Sequence, residues 1–465
     1  MGLKQAAADP ISDAKKRRRV GFNVVDVGIE ANECIKIYLV NSKDEVDAAS
    51  GFLIEPIDLN QFFGEDGKIY GYKDLKIIIW LSTISLHAYA DITFQSTSEG
   101  GRGITDLKPA LQNIFGESLV EKKDDFLDTF TAESHYIRTI ISNGEVIHYK
   151  APKGHNGETN GCLESEASSV EVICMPVNSM PVGQLYSRLV PLALLLVDGS
   201  SPIDITDPKW EIYLVVQRTD QQGDINFKLI GFAAVYRFYK YPDDSRLRIS
   251  QILVLPPYQG QGHGRHLLEV LNHVAVSEKM YDVTVEEPSD YLQHVRTCID
   301  TLRLLAFDSI QPSINLAVLH LKQGKFSEGN CRLQLDPSAS VVEDVRKNLK
   351  INKKQFIQCW EVLIYLGLGS IDQYMENYMT FISERIKIDI LGKESDTAGK
   401  RVIEVPNDYD HDMTFVMFRT QTGGEAGGAQ IDKTQTNQEE QLRQLAEGRM
   451  KEIKLVAEKV SSRRV

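Results

Sequence analysis

The sequence has no long hydrophobic run. The longest, Leu189 to Val197, is about nine residues, whereas a membrane-spanning helix needs ~20, so no span is expected. No apolar stretch opens the chain. Lys15-Lys16-Arg17-Arg18-Arg19-Val20 stands there instead, and a secretory leader is not expected. The six cysteines, Cys34, Cys162, Cys174, Cys298, Cys331 and Cys359, are scattered, and none pairs as C-x-x-C. Neither a zinc cage nor a disulfide framework is signalled, which fits a reducing compartment. The ten histidines offer no H-E-x-x-H or comparable spacing, so no metal is expected. A Walker loop needs Gly-Lys followed by Ser or Thr, and that triplet is missing too. Positive charge is in deficit: the formal net charge is −13. An acidic chain repels a phosphate backbone, which argues against bulk nucleic-acid binding and favours basic partners.

What is present suits a soluble protein of two to four domains. The chain has 465 residues, 42% hydrophobic and 25% charged. Residues 1–20 read as a disordered basic tail. The cluster Lys15 to Arg19 has the composition of a nuclear import signal, and equally that of a solvated charge run. Residues 21–150 read as an α+β domain: Cys34 to Val40 alternates like a strand, Leu75 to Leu81 reads as a buried one, and Leu107 to Phe115 has helical spacing. Residues 151–174, rich in Gly, Ser, Asn and Glu, read as a linker.

Residues 175–312 carry an α/β order. Gln184 to Val197 is an expected helix, kinked or restarted at Pro191. Strands are expected at Glu211–Val216, Phe227–Tyr239, Leu247–Leu255 and Tyr281–Val285, with a turn at Tyr241-Pro-Asp-Asp244 and a helix ending near Ser277. Residues 313–420 read as a helical domain, with helices near 340–350, 354–365 and 371–387. Residues 421–465 read as a polar helical tail behind the break at Gly423 to Gly428.

The strongest local signal is Pro257-Tyr-Gln259-Gly260-Gln261-Gly262-His263-Gly264-Arg265. It lies between an expected strand and a helix whose Leu267, Leu268, Leu271, Val274 and Ala275 share one face. Glycines at alternate positions let successive N–H groups point to one place, a nest for phosphate oxygens at a helix N-terminus. A Rossmann fingerprint is a rival, and Glu286 even supplies its acid at the next strand's end. That pattern wants Gly or Ala where Arg265 stands. The short turn at Pro242 also suggests an antiparallel meander rather than crossovers.

Gln259-x-x-Gly262-x-Gly264 matches the Q/R-x-x-G-x-G/A motif of GNAT acetyltransferases. Arg248-Ile-Ser-Gln-Ile-Leu-Val-Leu255, the glycine loop and Glu286-Glu287-Pro288-Ser289 together resemble the catalytic subunit family of the type B histone acetyltransferases. So do Phe63-Gly-Glu-Asp66 with Tyr70-Gly-Tyr-Lys73, and Val235-Tyr-Arg-Phe-Tyr-Lys-Tyr-Pro242. The resemblance covers about residues 30 to 390, and the chain looks like a plant-like version with extended termini. It implies an α/β (α+β) architecture: a GNAT core with an N-terminal α+β histone-binding domain and a C-terminal helical domain.

The resemblance also implies roles. The cofactor is acetyl-CoA, without metal. Gln259, Gly260, Gln261, Gly262, His263, Gly264 and Arg265 would hold its pyrophosphate. The backbone of Ile252, Leu253 and Val254 would meet the pantetheine arm and acetyl carbonyl, and Ser289 would make a polar cofactor contact. The attacking lysine ammonium has an ordinary pKa of ~10.4, so its deprotonation at neutral pH costs about 4.6 kcal/mol and needs a base. Glu286 is the first candidate, with Glu287 and Asp198 as helpers. Asp198 stands where the family usually has a longer Glu. Glu65 and Asp66, with Tyr236, Arg237 and Phe238, would hold the substrate. The implied substrate is free, newly made histone H-four, acetylated on its N-terminal tail. The implied partner is a WD-repeat histone chaperone, with nuclear and cytoplasmic residence and no direct nucleic-acid or membrane contact. Two alternatives stay open: a GNAT enzyme for another protein or a small amine, and a non-catalytic histone-binding subunit.

Overall fold

A computed structural model describes residues 27–64, 66–98, 103–149, 168–221, 224–323, 335–369, 372–395 and 435–463. They form two compact units. One ends at Ser134 and adds Arg188–Leu196; the other takes His135–Ser187 and the chain from Val197.

The first unit is built on a five-stranded mixed sheet. Its strands are β1 (Ile35–Val40), β2 (Phe52–Ile54), β3 (Lys76–Ser82), β4 (Ala88–Thr93) and β5 (Leu119–Val120), in the order β2-β1-β3-β4-β5. The β1–β3 and β4–β5 pairs are parallel and the other two antiparallel. β3 is a run of β-branched and aromatic residues buried on both faces, as its sequence Lys-Ile-Ile-Ile-Trp-Leu-Ser leads one to expect. Helix α1 occupies Leu107–Phe115, as its spacing predicts, with Asp106 as N-cap accepting from the Lys108 N–H at 3.1 Å. Helices α2 (Lys123–Ser142) and α3 (Met180–Leu196) contribute residues to both units. α3 starts four residues before the expected Gln184 and runs as one helix through the buried Pro191.

The second unit carries a six-stranded sheet whose strands lie in chain order: β6 (Glu145–Val146), β7 (Ser168–Pro176), β8 (Trp210–Gln221), β9 (Asp224–Lys240), β10 (Asp244–Val254) and β11 (Val283–Val285). The pairs from β6 to β10 are antiparallel, the expected meander, and β10–β11 is parallel. The strands are longer than their apolar cores suggest because the polar ends also pair, as Gln221 does with Asp224. Helix α4 (His263–Ser277) makes the crossover to β11. It buries Leu267, Leu268, Val270, Leu271, Val274 and Ala275 on Tyr213, Val215, Ala233, Val235, Leu247 and Ile249 of the sheet.

Beyond β11 the chain is helical: α5 (Asp290–Leu305), α6 (Gln311–Gln323), α7 (Ala339–Leu349), α8 (Lys353–Leu368), α9 (Asp372–Ser395) and α10 (Gln435–Ser461). Ser289, Ser338 and Asn352 cap α5, α7 and α8 by accepting first-turn N–H groups. The terminal helix, whose composition is polar, has a narrow apolar face. Met450, Ile453, Val456, Ala457 and Val460 join Phe356, Trp360, Tyr378 and Phe381 in one core. Fully burying a side chain of the Val or Ile kind contributes about 1.5–3 kcal/mol as an upper bound. The buried Glu361 takes Arg385 at 3.1 Å and Arg449 of α10 at 2.8 Å.

Candidate functional site

The parallel β10–β11 pair is short. Its register runs Leu247 to Val283, Arg248 to Thr284 and Ile249 to Val285, and the Glu286 N–H closes it on the Ile249 carbonyl at 2.9 Å. β10 continues to Val254, and among the described residues no strand pairs with this edge beyond Ile249. The two strands therefore part as a fork. On the other edge the Leu255 N–H donates to Ile230 O at 2.9 Å. Hydrogen-bonded pairs alternate along an antiparallel ladder, so Leu253 and Gln251 turn their backbone groups toward β9. Ile252 and Val254 turn theirs into the fork. Of the three residues expected to offer backbone contacts, two present them there and Leu253 does not.

The β9–β10 ladder slips between Ala234 and Val235: Ala234 faces Gln251 and Val235 faces Ile249. Ser250 is thus the extra residue of a β-bulge. Ser250 donates a hydrogen bond to Glu286 Oε2. Gln251, buried, donates to Ser200 Oγ at 3.0 Å and Ser201 O at 2.7 Å, and accepts from the buried Tyr186 hydroxyl at 3.1 Å. The Ile203 N–H donates to that same Tyr186 oxygen at 3.1 Å. This network ties the loop after α3, which carries the exposed Asp198, to the bulge.

Glu286 is exposed and keeps the strand's alternation: Val283 lies in the core under α4, and Thr284 and Glu286 face the other way. Glu287 does not continue the strand. Its φ is +37°, which turns the chain before Pro288. The two glutamates are therefore not equivalent.

At the fork's mouth, α4 begins at His263 with Gly262 as N-cap and no side-chain cap. Gly260 and Gly262 have φ of +76° and +90°, and nothing lies within 4 Å of a Cβ built on either. These are backbone positions that suit glycine, with open space above them. The first-turn N–H groups of this fifteen-residue helix are thus available to an anion. The side chain of Gln259 donates to Val254 O at 2.9 Å and that of Gln261 to Pro257 O at 3.3 Å, bracing the loop against β10. Arg265 turns back along the helix to Glu269 at 2.7 Å. His263 is half-buried, and burial, with His266 beside it, lowers its pKa below the ordinary imidazole value. The Ser289 hydroxyl is engaged as the α5 cap, accepting from the Leu292 N–H at 3.3 Å.

Tyr236 and Phe238 share the Glu286 face of the sheet. Tyr236 packs on Trp210 at 4.8 Å and donates to Asp207 Oδ2 at 2.9 Å, while Phe238 lies under the Arg248 guanidinium at 5.0 Å. Burial and the bond to Asp207 raise the Tyr236 pKa. Arg237 corrects the sequence expectation: alternation sends it to the opposite, α4 face, between Glu211 at 2.6 Å and Glu278 at 2.5 Å. It does not join the aromatic pair. Asp66 belongs to the first unit, where it accepts from the Tyr70 hydroxyl at 2.6 Å; Glu65 lies outside the described residues. Ser250, Gln251, Trp210 and Asp207 escaped the sequence reading. The polar couple Ser250-Gln251 inside an apolar strand is the sign of the bulge that the sequence carries.

Comparison with known proteins gives this geometry a family. Residues 27–198 match the family described as histone acetyl transferase HAT1 N-terminus, and residues 202–295 match the acetyltransferase (GNAT) family. The histone acetyltransferase type B catalytic subunit of Arabidopsis thaliana is 53% identical over 98% of this chain and 97% of its own. Its counterpart in Zea mays is 49% identical over 100% and 98%. The Homo sapiens counterpart is 25% identical over 84% and 87%. The chain belongs to the type B histone acetyltransferase catalytic subunits and carries their GNAT acetyltransferase domain.

Proposed function

We propose that this chain transfers an acetyl group from acetyl-CoA to lysine ε-amines on the N-terminal tail of free, newly made histone H-four, by direct attack in a ternary complex. The observation that carries the reading is the fork: a strand edge that no strand pairs with among the described residues, a helix N-terminus without a side-chain cap behind two left-handed glycines, and the Glu286 carboxylate at the vertex. The residues fit acetyl-CoA, because the open space over Gly260 and Gly262 admits a pyrophosphate that a Cβ would crowd.

The amides from Gln259 to Arg265 would hold that pyrophosphate. The fork-facing N–H groups of Ile252 and Val254 would align the pantetheine arm, and one of them would polarise the acetyl carbonyl. Acetyl-CoA supplies the activated thioester when bound. Glu286 takes the proton from the lysine ammonium at its exposed carboxylate, which turns the cation into a nucleophile. Asp198 and Glu287 add negative charge around the incoming lysine. Trp210, Tyr236 and Phe238 offer an apolar floor for the lysine stem, and Glu65 and Asp66 attract a basic tail. The net charge of −13 speeds the encounter with a histone. A WD-repeat histone chaperone as partner, and residence in both nucleus and cytoplasm, complete the reading.

Acetyl transfer onto free core histones, with mass spectrometry of the product, tests it. Modification of histone H-four tail lysines is expected. Preferred turnover of a polyamine panel would make this a small-amine enzyme, and histone binding without turnover would make it a non-catalytic subunit.

A further inference from the structure

Ser250 both interrupts the β9–β10 ladder and touches the carboxylate at the fork. As the bulged residue it has no partner on β9, and it follows the last β10 residue paired with β11. The bulge resets the strand's phase. Leu247 and Ile249 face α4 before it, and Ile252 and Val254 pack toward α4 after it. Two successive residues, Ser250 and Gln251, therefore fall on the Glu286 face, which a regular strand forbids.

Gln251 anchors the bulge. Its side chain makes the bonds to Tyr186, Ser200 and Ser201, and its buried amide would otherwise be costly to leave unpaired. A pinned bulge gives the neighbouring hydroxyl a fixed direction. Glu286 is less enclosed by comparison: it is exposed, the strand has ended, and Glu287 turns the backbone away. Its N–H, on Ile249 O, holds the main chain. The side chain of a glutamate has three rotatable torsions, so some contact must choose among its rotamers.

We infer that Ser250 is a positioning residue for the reaction: its hydroxyl, fixed by the β-bulge, holds the Glu286 carboxylate in the rotamer that meets the lysine. The inference rests on the reading of Glu286 as base. Ser250 acts through Glu286 and transfers no proton of its own.

The test is a double-mutant cycle on the full chain, with acetyl-CoA and free core histones. Ser250→Ala is expected to lower kcat by roughly tenfold, the scale of a hydrogen bond to a charged group, with both KM values changed less than twofold. Ser250→Thr keeps the hydroxyl on a strand-compatible residue and is expected to restore most of kcat. In a Glu286→Gln background, Ser250→Ala is expected to add nothing, since coupled residues are not additive. Thermal unfolding of each variant checks the fold. Three results overturn the inference. Full kcat in Ser250→Ala beside a crippled Glu286→Gln would show that the hydroxyl does nothing. An equal loss in both backgrounds would mean that Ser250 acts through the strand and not the carboxylate. Near-normal turnover in Glu286→Gln would remove the base assignment itself, and this inference with it.

Discussion

Replacing Gly262 with alanine isolates what the glycine loop does. The added Cβ meets no atom of the chain within 4 Å, so steric crowding inside the protein contributes nothing. The backbone is the issue: φ is +90°, at the N-cap of α4. An L-residue in left-handed space costs roughly 1–2 kcal/mol. If the loop pays this only when it adopts its open, anion-ready shape, acetyl-CoA affinity falls by roughly 5- to 30-fold, at 1.4 kcal/mol per tenfold. Asparagine tolerates this region better, so Gly262→Asn is expected to lose less than Gly262→Ala. Gly264 is the control. It lies inside α4 without a positive φ, and its Cβ would meet only Val254 Cγ2 at 3.5 Å. Gly264→Ala is expected to hold or slightly raise the melting temperature, by helix propensity. Calorimetric titration with acetyl-CoA reads the affinities. Wild-type affinity in a folded Gly262→Ala protein would refute both the strain argument and the phosphate role of the loop.

Further outcomes are expected. Glu286→Gln is expected to cut turnover by roughly 10²–10⁴ with cofactor affinity unchanged; a drop well under tenfold in steady-state kinetics moves the role to Asp198 or Glu287. Glu361→Ala strips Arg385 and Arg449 of a buried partner and is expected to cost about 3–5 kcal/mol in denaturant unfolding; a loss under 1 kcal/mol would mean that the α10 contact is dispensable. Burial lowers the pKa of His263 and His266, so the unfolded chain binds more protons there and their contribution to stability is lost as pH falls below the ordinary ~6.5. The melting temperature of the double His→Gln variant should therefore depend less on pH in that acidic window, and an unchanged slope would contradict this. Deleting residues 1–20 is expected to leave transfer rates intact and to shift a fluorescent fusion toward the cytosol; equal nuclear signal would reduce Lys15 to Arg19 to a solvated tail.

How much of this was legible in the sequence depended on whether the signal was local. α1 follows directly from the spacing of Leu107, Leu111, Ile114 and Phe115 and from the Asp106 cap. The strand–glycine–helix order was equally readable, because Gly262 and the face of Leu267, Leu268 and Leu271 lie within ten residues. The bulge was not. Ser250 and Gln251 interrupt the apolar run of β10, but a polar couple alone does not say which residue bulges, because the slip depends on pairing with β9. Arg237 lies apart from Tyr236 and Phe238 for a related reason: neighbours along a strand face opposite ways, and adjacency in sequence does not show which face meets the site. The buried face of α10 is thin, about one residue per turn among charged ones, and its partners on α8 and α9 lie far back in the chain.

The position of Glu286 depends as much on the closed end of the fork as on the open one. There Arg246 and Asp282 form a buried bidentate pair, Nε to Oδ1 at 2.6 Å and Nη2 to Oδ2 at 3.0 Å, and the Leu247 N–H donates to Asp282 O at 3.0 Å. Arg296 and Asn352 each donate to Val283 O at 2.9 Å. A buried ion pair is weak evidence of net stability, because desolvation offsets the attraction. Its consequence here is register. β11 has only three residues, too few for side-chain packing alone to choose a pairing. A slip by one would send Thr284 and Glu286 to the α4 face and expose Val283 and Val285 instead. With Asp282 tied to Arg246, Glu286 emerges three residues after the paired Val283, on the face opposite α4 and beside the bulge. The clamp therefore decides which side of the sheet receives the carboxylate, and Ser250 decides where on that side it points.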